Sequence, residues 1–333
     1  MIKKILIIGL GGAGQRHLRI IRDNNKKIKI FILRKRNLTP LLNKKFETIY
    51  NHNIEGKYKC KSITEKKALK EKFQIIIVAN PTSLHLKSCI KFLNNTNFFL
   101  VEKPFSNKFN KSINFLKKNN KKIIFYTGYQ KQFDPIWNLY QKKFLNKKKI
   151  LRMYFKNYSD VTKWHPYENY KNLYACRKDL GGGVILTECH EIQYMHELFG
   201  MPKSVMCYPD KKNYNLDVET ASLVIMKYKK FDAVIELNMM SKTNQRSCEI
   251  VYNNKIIFLD FNKKLITLIK NTKEKKIKVK FNNDYNFQEQ WVYTMHILKK
   301  NKIKKTNYKT LSMIQLQKNI YDSKFKKKEI FIK

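Results

Sequence analysis

Glycine is scarce in this chain, and it is concentrated where another group could approach the backbone. Of 333 residues only 10 are glycine, and seven of these fall in two clusters, Gly9–Gly14 and Gly181–Gly183. Because glycine has no Cβ, it permits a positive φ and leaves the main chain open to close contact. The first cluster could therefore be a tight structural turn, or a cradle whose backbone N–H groups bind a phosphate.

The residues around the first cluster favour the phosphate cradle. Lys4–Ile8 is a short apolar run typical of a buried strand, Gly12–Asp23 has a helical pattern, and Lys29–Leu33 reads as a second strand. A strand, a GxGxxG turn, a helix and a strand at this spacing form the βαβ unit that binds a dinucleotide. We therefore predict that the cofactor-binding backbone includes Gly9, Gly11, Gly12, Ala13 and Gly14.

The end of the second predicted strand bears on the choice of dinucleotide. An acidic residue near this position usually binds the adenosine ribose, but this chain has Arg34, Lys35 and Arg36 there. Cations at Arg34 and Arg36 suit a 2′-phosphate and favour NADP. An arginine can also stack on adenine, so NAD remains open.

Two further apolar runs end in residues that could contact the same ligand. Phe73–Ala79 precedes Asn80, and Asn97–Val101 precedes Glu102. Ligands of doubly wound sheets bind beyond the carboxyl ends of the strands, so both ends should converge on the nucleotide. The predicted contacts are Asn80, Pro81, Thr82, His85, Glu102 and Lys103. The alternative for each is an ordinary strand-to-helix turn, and for His85 a helix-surface position.

Together these motifs resemble the Gfo/Idh/MocA family, which includes glucose-fructose oxidoreductase and inositol 2-dehydrogenase. The matching segments are GLGGAGQRH (9–17), NPTSLH (80–85), EKP (102–104), GYQKQFDP (128–135) and GGGVILTECHEIQY (181–194). WHPYENY (164–170) and RKDLGGG (177–183) further resemble a branch common in bacterial surface-sugar gene clusters.

The resemblance implies an α/β plus α+β fold in two domains. Residues 1–125 would form a Rossmann domain with a doubly wound parallel sheet. Residues 126–333 would form a substrate domain with an open, mainly antiparallel sheet and a homo-oligomer interface, for a dimer or tetramer, and the C-terminal helix could pack back on the first domain. The sequence after Lys148 agrees, because short alternating strands recur there. Helices are predicted at 287–299 and 310–324.

The resemblance also implies an activity and a set of site residues. The activity is NAD(P)-dependent hydride transfer to or from a secondary alcohol of a sugar or sugar derivative, as in surface polysaccharide biosynthesis. Lys103 would lie at the nicotinamide and bind the reacting hydroxyl, and His190 would be the acid/base, with Glu188 available to orient it. An unperturbed imidazole pKa near 6.5 would permit proton transfer in both directions. The alternative for His190 is a buried structural histidine.

The resemblance further implies binding contacts: Gln130 for the cofactor and Tyr129, Trp164, His165, Tyr167, Tyr170 and Arg177 for the sugar. The alternative for 164–170 is a loop that its aromatic residues anchor to the protein.

The chain departs from the family pattern at three positions. Thr187 stands where an acidic residue is usual, Gln193 where Asp is frequent and Gln132 where Arg is common. A non-catalytic Rossmann protein that binds or senses a nucleotide or sugar is therefore the alternative hypothesis. We favour the enzyme.

Composition excludes several other classes. The net charge of +45 would fit a nucleic-acid partner, but only eight of the 70 basic residues are arginine and the lysines are scattered along the chain. We expect no nucleic-acid partner. No apolar run approaches the roughly 18 residues of a membrane span, and the start lacks a signal-peptide pattern. Six cysteines without metal-ligand spacing predict reduced thiols in a cytoplasmic protein and no bound metal. Because the apolar runs are short, we also expect no membrane partner.

Overall fold

The computed structural model describes residues 3–34, 40–43, 47–49, 53–210 and 214–332. Its N-terminal sheet has six parallel strands in the order β5-β2-β1-β6-β7-β8. These strands are β1 (Lys4–Ile8), β2 (Lys29–Leu33), β5 (Cys60–Ser62), β6 (Ile75–Val78), β7 (Phe98–Glu102) and β8 (Ile124–Gly128). A separate two-stranded ribbon pairs β3 (Leu41–Leu42) with β4 (Thr48–Ile49).

Both faces of this sheet are buried, which explains why its strands are apolar without alternation. Along β1, Ile5 and Ile7 belong to one hydrophobic cluster, whereas Leu6 and Ile8 belong to a second cluster on the opposite face. The helices between these strands are α1 (Gly12–Asn24), α2 (Ile54–Tyr58), α3 (Glu65–Ala68), α4 (Thr82–Lys91) and α5 (Phe109–Asn119). The predicted doubly wound parallel sheet is confirmed.

The second sheet has nine strands and is mainly antiparallel, as predicted. Its order is β16-β15-β14-β13-β9-β12-β11-β10-β17, and the pairing of β12 with β9 is parallel. The strands are β9 (Ile150–Asp160), β10 (Ser204–Pro209), β11 (Ala221–Lys227), β12 (Asp232–Asn238), β13 (Met240–Tyr252), β14 (Lys255–Asp260), β15 (Leu265–Lys270), β16 (Lys273–Lys278) and β17 (Ile330–Phe331). The remaining described α-helices are α6 (Pro135–Lys143), α7 (Val184–Thr187), α8 (His190–Phe199), α9 (Tyr285–Lys299) and α10 (Ile303–Lys326). Short 3-10 helices lie at Leu93–Asn95, Gln130–Phe133, Val161–Lys163, Tyr170–Asn172 and Tyr174–Cys176.

The last helix joins the two sheets. α10 packs against α5 and β8 on one side and against β10 on the other. Asn307 accepts a hydrogen bond of 2.7 Å from Phe125 N and donates one of 2.7 Å to Ile123 O. The hydroxyl of Thr310 donates to Phe125 O at 2.7 Å. Polar side chains of α10 therefore pair the backbone groups of the edge strand β8, which would otherwise be open.

These contacts explain where the sequence prediction of α10 fell short. The apolar pattern begins at Leu311, so the helix was predicted from Thr310, but it starts at Ile303. Its first two turns carry polar residues because they face the edge of β8. Strand β16 was also missed, because its sequence, KEKKIK, is almost wholly exposed.

The predicted division into domains at residue 125 stays a prediction. Strand β8 spans that position, since it runs from Ile124 to Gly128 within the N-terminal sheet. Across the ranges that the structure describes, no helix has the length and apolarity needed to cross a membrane.

Candidate active site

Two glycines of the first cluster are required by contacts within the protein. Gly9 has a φ of +91°, and a Cβ built on it would lie 2.6 Å from Asn80 N. A Cβ on Gly14 would lie 2.2 Å from Gly9 O. Neither distance is tolerable for a side-chain carbon, so these glycines let β1, α1 and the loop after β6 meet closely.

Gly11 differs, because it faces open space. A Cβ on Gly11 would meet no heavy atom of the described residues within 4 Å. Gly11 precedes α1, and none of the described side chains caps this end of the helix. The first intrahelical hydrogen bond runs from Gln15 N to Gly11 O, at 3.0 Å. The N–H groups at the start of α1 are therefore placed to bind an external anion, and this cradle fits the pyrophosphate of a dinucleotide.

Arg34 lies beside this cradle. It follows β2 directly, and the preceding residue, Leu33, accepts a hydrogen bond of 2.9 Å from Gly9 N. The guanidinium-bearing side chain is half-buried. Arg36, the second predicted cation, lies outside the described residues.

The loop after β6 carries Asn80, Pro81 and Thr82 to the same edge of the sheet. The Asn80 amide donates to Ser88 Oγ at 2.9 Å, while Asn80 Oδ1 is buried without a hydrogen-bond partner in the described ranges. Thr82 is buried at the start of α4, next to Pro81. Asn80 Oδ1 is therefore an acceptor that a bound cofactor could use.

His85 connects two loops through its two ring nitrogens. It is only 1% exposed, and its Nδ1 and Nε2 lie 2.9 Å from Pro104 O and 2.7 Å from Asn80 O. Burial lowers the pKa of His85, against the opposing effect of these two carbonyls. His85 thus links the loops after β6 and β7, and its expected contact with the cofactor stays a prediction.

Glu102 is also buried beneath the site. Its Oε1 lies 2.6 Å from His17 Nε2, which α1 supplies. Burial raises the pKa of Glu102, but the hydrogen bond from His17 and the charge of Lys103 outweigh that effect, so the pKa lies below its ordinary value. Glu102 thus anchors the backbone next to Lys103.

Lys103 reaches from the N-terminal sheet to the segment that precedes His190. Its Nζ donates a hydrogen bond to the carbonyl oxygen of Thr187. Burial lowers the pKa of Lys103, but interactions with Tyr174, Cys189 and Glu188 raise it more, so the pKa lies above its ordinary value. The ammonium group remains charged at neutral pH.

The second glycine cluster connects this segment to both sheets. Ser83 N, at the start of α4, donates to Leu180 O at 3.0 Å. Gly181 has a φ of +80°, and a Cβ on it would lie 3.0 Å from Ser83 N. The loop before α7 is therefore seated directly on the loop that carries Thr82.

The other two glycines of this cluster pack against the C-terminal part of the chain. A Cβ on Gly182 would lie 2.3 Å from Tyr174 O. Gly183 has a φ of +102°, and its Cβ would lie 2.5 Å from Glu219 Oε1. Glu219 also pairs with Lys324 of α10 at 2.6 Å and accepts from Val184 N, through its carbonyl oxygen, at 2.9 Å. Protein atoms thus occupy all the space that these glycines leave.

His190 begins α8 and is buried, with its Nδ1 lacking a hydrogen-bond partner in the described part of the chain. The ring of Tyr129 packs edge-on against it, with 6.2 Å between the ring centroids. Burial lowers the pKa of His190 well below 6.5, and the charges of Lys103, Arg246 and Lys131 lower it further. The expectation of an unperturbed imidazole was therefore wrong. At neutral pH His190 is neutral, so it can accept a proton.

The hydrogen-bond partner of Glu188 is Asn157 of β9. Glu188 Oε2 accepts a hydrogen bond of 2.9 Å from Asn157, which also donates to Glu191 at 3.2 Å. Glu191 in turn pairs with Arg246 at 2.7 Å in the protein interior. No hydrogen bond joins Glu188 to His190 within the described ranges, and the charge of Glu188 helps to raise the pKa of Lys103. The catalytic role expected for Glu188 stays a prediction.

Sequence reasoning missed several residues around His190. Burial lowers the pKa of Lys131 to about 8, and the charge of Arg246 contributes to this effect. Lys131 lies in the GYQKQFDP segment, so the motif itself was the available signal. Asn157 and Arg246 lie on strands of the second sheet with no motif around them, and only the fold brings them here.

Gln130 and the two unusual glutamines lie next to one another in the fold. Gln130 Oε1 is buried without a hydrogen-bond partner in the described region, so it is an acceptor that a ligand could use. Gln132 donates to the Tyr126 hydroxyl at 2.9 Å. Gln132 and Gln193 line the same cavity, and the helix α8 packs against residues 130–133. The positions where the family often has Arg and Asp are therefore neighbours, and both are uncharged here.

The predicted sugar-binding loop is only partly directed at the site. Trp164 and Tyr170 pack against the core of the second sheet. His165 stacks on Tyr167 at 5.3 Å. Arg177 forms a two-pronged ion pair with Asp179, and this pair is exposed, so Arg177 is less available for a substrate anion than expected.

The fold and the cradle define a Rossmann-type, dinucleotide-binding protein. Residues 3–127 match the family model described as "Oxidoreductase family, NAD-binding Rossmann fold", the Gfo/Idh/MocA family. The match confirms, for these residues, the resemblance seen in the motifs. No curated protein sequence matches the chain.

Solved structures share the fold over nearly the whole chain. A levoglucosan dehydrogenase in complex with NADH and levoglucosan is 12% identical, with a TM-score of 0.78 and 99% of each chain covered. The WlbA dehydrogenase from Bordetella pertussis, in complex with NADH and UDP-GlcNAcA, is 12% identical, with a TM-score of 0.74, and the match covers 100% of this chain and 99% of that one. Biliverdin reductase from Synechocystis, in complex with biliverdin and NADP+, is 11% identical, with a TM-score of 0.75 and 97% and 99% covered.

Proposed function

We propose that the chain is an NAD(P)-dependent oxidoreductase that transfers a hydride between the nicotinamide and a secondary alcohol of a sugar or sugar derivative. One observation carries the proposal. Lys103, at the end of a Rossmann strand, is hydrogen-bonded to Thr187 O, three residues before His190 at the start of α8. A charged ammonium and a neutral imidazole are thereby brought to one place beside a dinucleotide cradle.

The two side chains divide the chemistry between them. When bound, the nicotinamide accepts or supplies the hydride. In the oxidising direction the alcohol C–H bond gives up its hydride, and the hydroxyl proton passes to neutral His190 as the C=O bond forms. The charge of Lys103 stabilises the negative charge that develops on the oxygen. Glu188, held by Asn157, keeps a carboxylate close to the Lys103 ammonium.

Support for a sugar substrate comes from the aromatic residues of 164–174 and from two of the similar structures. Tyr174 interacts with Lys103, and aromatic rings can pack against sugar faces. Two of the similar dehydrogenases were solved in complex with levoglucosan and with UDP-GlcNAcA. Biliverdin reductase has the same fold, so the substrate must be tested directly. A role in surface polysaccharide synthesis belongs to the same proposal.

We propose NADP as the preferred cofactor, with NAD as the alternative. Arg34 supports this choice. It follows Leu33, whose carbonyl oxygen accepts a hydrogen bond from Gly9 N, so a cationic residue adjoins the cradle. NADPH and NADH are titrated separately by fluorescence, with wild type and Arg34→Glu. We expect tighter binding of NADPH, and we expect the substitution to remove that preference. Equal affinities in the wild type would contradict the preference while leaving the cradle intact.

A second candidate is a binding protein without catalysis. Two observations favour it: Glu188 is engaged by Asn157, and His190 Nδ1 lacks a partner among the described residues. If the cofactor binds but no compound changes the absorbance of the nicotinamide, this candidate is supported.

The deciding experiment follows nicotinamide absorbance with a panel of free sugars, uronic acids and nucleotide sugars. Lys103→Met and His190→Ala should each lower kcat by roughly 100-fold or more while leaving cofactor binding within threefold. Lys111→Met, which removes an exposed charge on α5, is the matched control and should leave kcat unchanged.

We also propose that the chain forms a homo-oligomer through its C-terminal sheet. Leu151, Tyr154 and Tyr208 lie on β9 and β10 and are exposed, which is unusual for large apolar side chains on one sheet. Light scattering should show a dimer or tetramer, and Leu151→Lys should shift the oligomeric state toward the monomer. A monomeric wild type would contradict this proposal.

A further inference from the structure

A cavity lies at the edge of the N-terminal sheet, and Tyr129 is one of its lining residues. It has a volume of about 50 Å³ and lies between β8, α8, α9 and α10. The lining residues we use below are Gln193, Glu197, Lys302, Lys305 and Lys309. We refer to this space as the α8–α10 cavity. A volume of this size holds roughly three to five water-sized groups, about the size of a phosphate or a carboxylate.

Positive charge dominates the lining of the cavity. Three lysines face one glutamate there. Glu197 pairs with Lys309, and Lys302 Nζ lies 2.7 Å from His296 Nε2. Lys305 has no such contact in the described part of the chain. His196 adds no charge at neutral pH, because burial lowers its pKa to about 4.

The N-terminus of α10 adds a second source of positive potential. Lys302 immediately precedes this 24-residue helix, and Lys305 and Lys309 line the cavity from its first two turns. The first turn contains no acidic residue, and no described side chain caps it. Unpaired N–H groups at a helix start favour an anion.

Gln193 supplies independent support for a ligand. It is only 4% exposed, it lines the cavity, and its amide Oε1 has no hydrogen-bond partner within the described ranges. Leaving a buried polar group unpaired costs about 1 to 3 kcal/mol, so a missing partner is the simpler explanation. Amide oxygen and nitrogen positions are interchangeable by a 180° turn, and the turned amide would present N–H donors to the cavity.

We propose that the α8–α10 cavity binds a small oxyanion, a phosphate or a carboxylate group, between Lys305, the Gln193 amide and the start of α10. Tyr129 lines the cavity and also contacts His190, so the bound anion would lie one side chain away from the candidate catalytic residues. The site is separate from the dinucleotide cradle and does not depend on the proposed reaction.

The test uses inorganic phosphate, and acetate in a parallel series, as the probes. Binding is measured by calorimetry without cofactor, at constant ionic strength set with chloride, because a chain of net charge +45 attracts anions everywhere. We expect saturable binding of one equivalent of the preferred anion. Acetate binding without phosphate binding would identify a carboxylate site.

Two lysines of one helix give a matched comparison. Lys304→Ala and Lys305→Ala remove the same charge from adjacent exposed positions of α10, but only Lys305 lines the cavity. We expect Lys305→Ala to weaken anion binding at least fivefold and Lys304→Ala less than twofold. Gln193→Leu should weaken it at least threefold without a change in net charge. Equal effects of the two lysine substitutions, no effect of Gln193→Leu, or no saturable binding of either anion would overturn the proposal.

Discussion

The two glycine clusters look alike in sequence but serve opposite purposes. In Gly9–Gly14, two glycines are fixed by close contacts, and between them Gly11 faces open space. In Gly181–Gly183, every space that a side chain would fill already holds protein atoms. The first cluster leaves room for a ligand, whereas the second brings two parts of the protein into contact. An absent side chain therefore indicates a binding site only where the protein does not fill the gap itself.

Lys103 lies between the two regions. Its backbone follows Glu102, which His17 of the first helix holds, and its ammonium is held by Thr187 O, which follows the second cluster. Each cluster thus positions one end of the same residue. Substitutions in the two regions should accordingly separate folding from cofactor binding.

The largest effect is expected from Gly182→Ala. A Cβ there would lie 2.3 Å from Tyr174 O and 2.5 Å from Ala175 O, and backbone atoms cannot move aside easily. We expect the free energy of unfolding to fall by more than about 3 kcal/mol in urea denaturation. Gly56→Ala is the control, because its Cβ would approach no atom closer than 3.9 Å and the glycine lies within α2. A stable Gly182→Ala protein would show that the second cluster is less closely packed than described.

Gly11→Ala should separate binding from folding. Its φ of −73° and ψ of −167° are accessible to alanine, and the Cβ would face open space. We expect the free energy of unfolding to change by less than about 1 kcal/mol. Dinucleotide affinity should fall by roughly 10- to 100-fold, about 1.4 to 2.8 kcal/mol, because the methyl group would occupy the approach to the cradle. Unchanged affinity in a fluorescence titration would mean that the ligand does not approach Gly11.

The role of the first glycine cluster could be predicted from the sequence, whereas little could be predicted about the second. A βαβ unit is local, so strand, turn and helix periods identified Gly9–Gly14 as a cradle. The partners of Gly181–Gly183 are distant in sequence: Ser83, Tyr174 and Glu219 meet them only in the folded chain. The same holds for Glu188, because its hydrogen-bond partner Asn157 lies on β9, far from it in the sequence.

Glu219→Gln tests whether α10 braces the second cluster. The carboxylate fills the space at Gly183 and pairs with Lys324, whose side chain is 16% exposed. Glutamine keeps the volume but leaves the lysine unpaired, so we expect a loss of about 1 to 2 kcal/mol in unfolding free energy. In a double-mutant cycle with Lys324→Met, the combined loss should be smaller than the sum of the single losses. Additive losses would indicate that the two side chains act independently.

The smallest effect is expected from a substitution of Glu102, which precedes Lys103 and contacts His17 of α1. The folded-state pKa of Glu102 lies below 4.5, so its carboxylate stabilises the fold above the pKa of the unfolded chain, and this contribution is lost as the pH falls through the lower folded pKa. Glu102→Gln should therefore lower the unfolding free energy by about 1 kcal/mol at pH 7, and the difference from wild type should shrink below pH 4.5. Urea denaturation of both proteins between pH 3 and pH 7 measures this. A difference that stays constant with pH would mean that the carboxylate charge does not contribute, and that His17 holds Glu102 by the hydrogen bond alone.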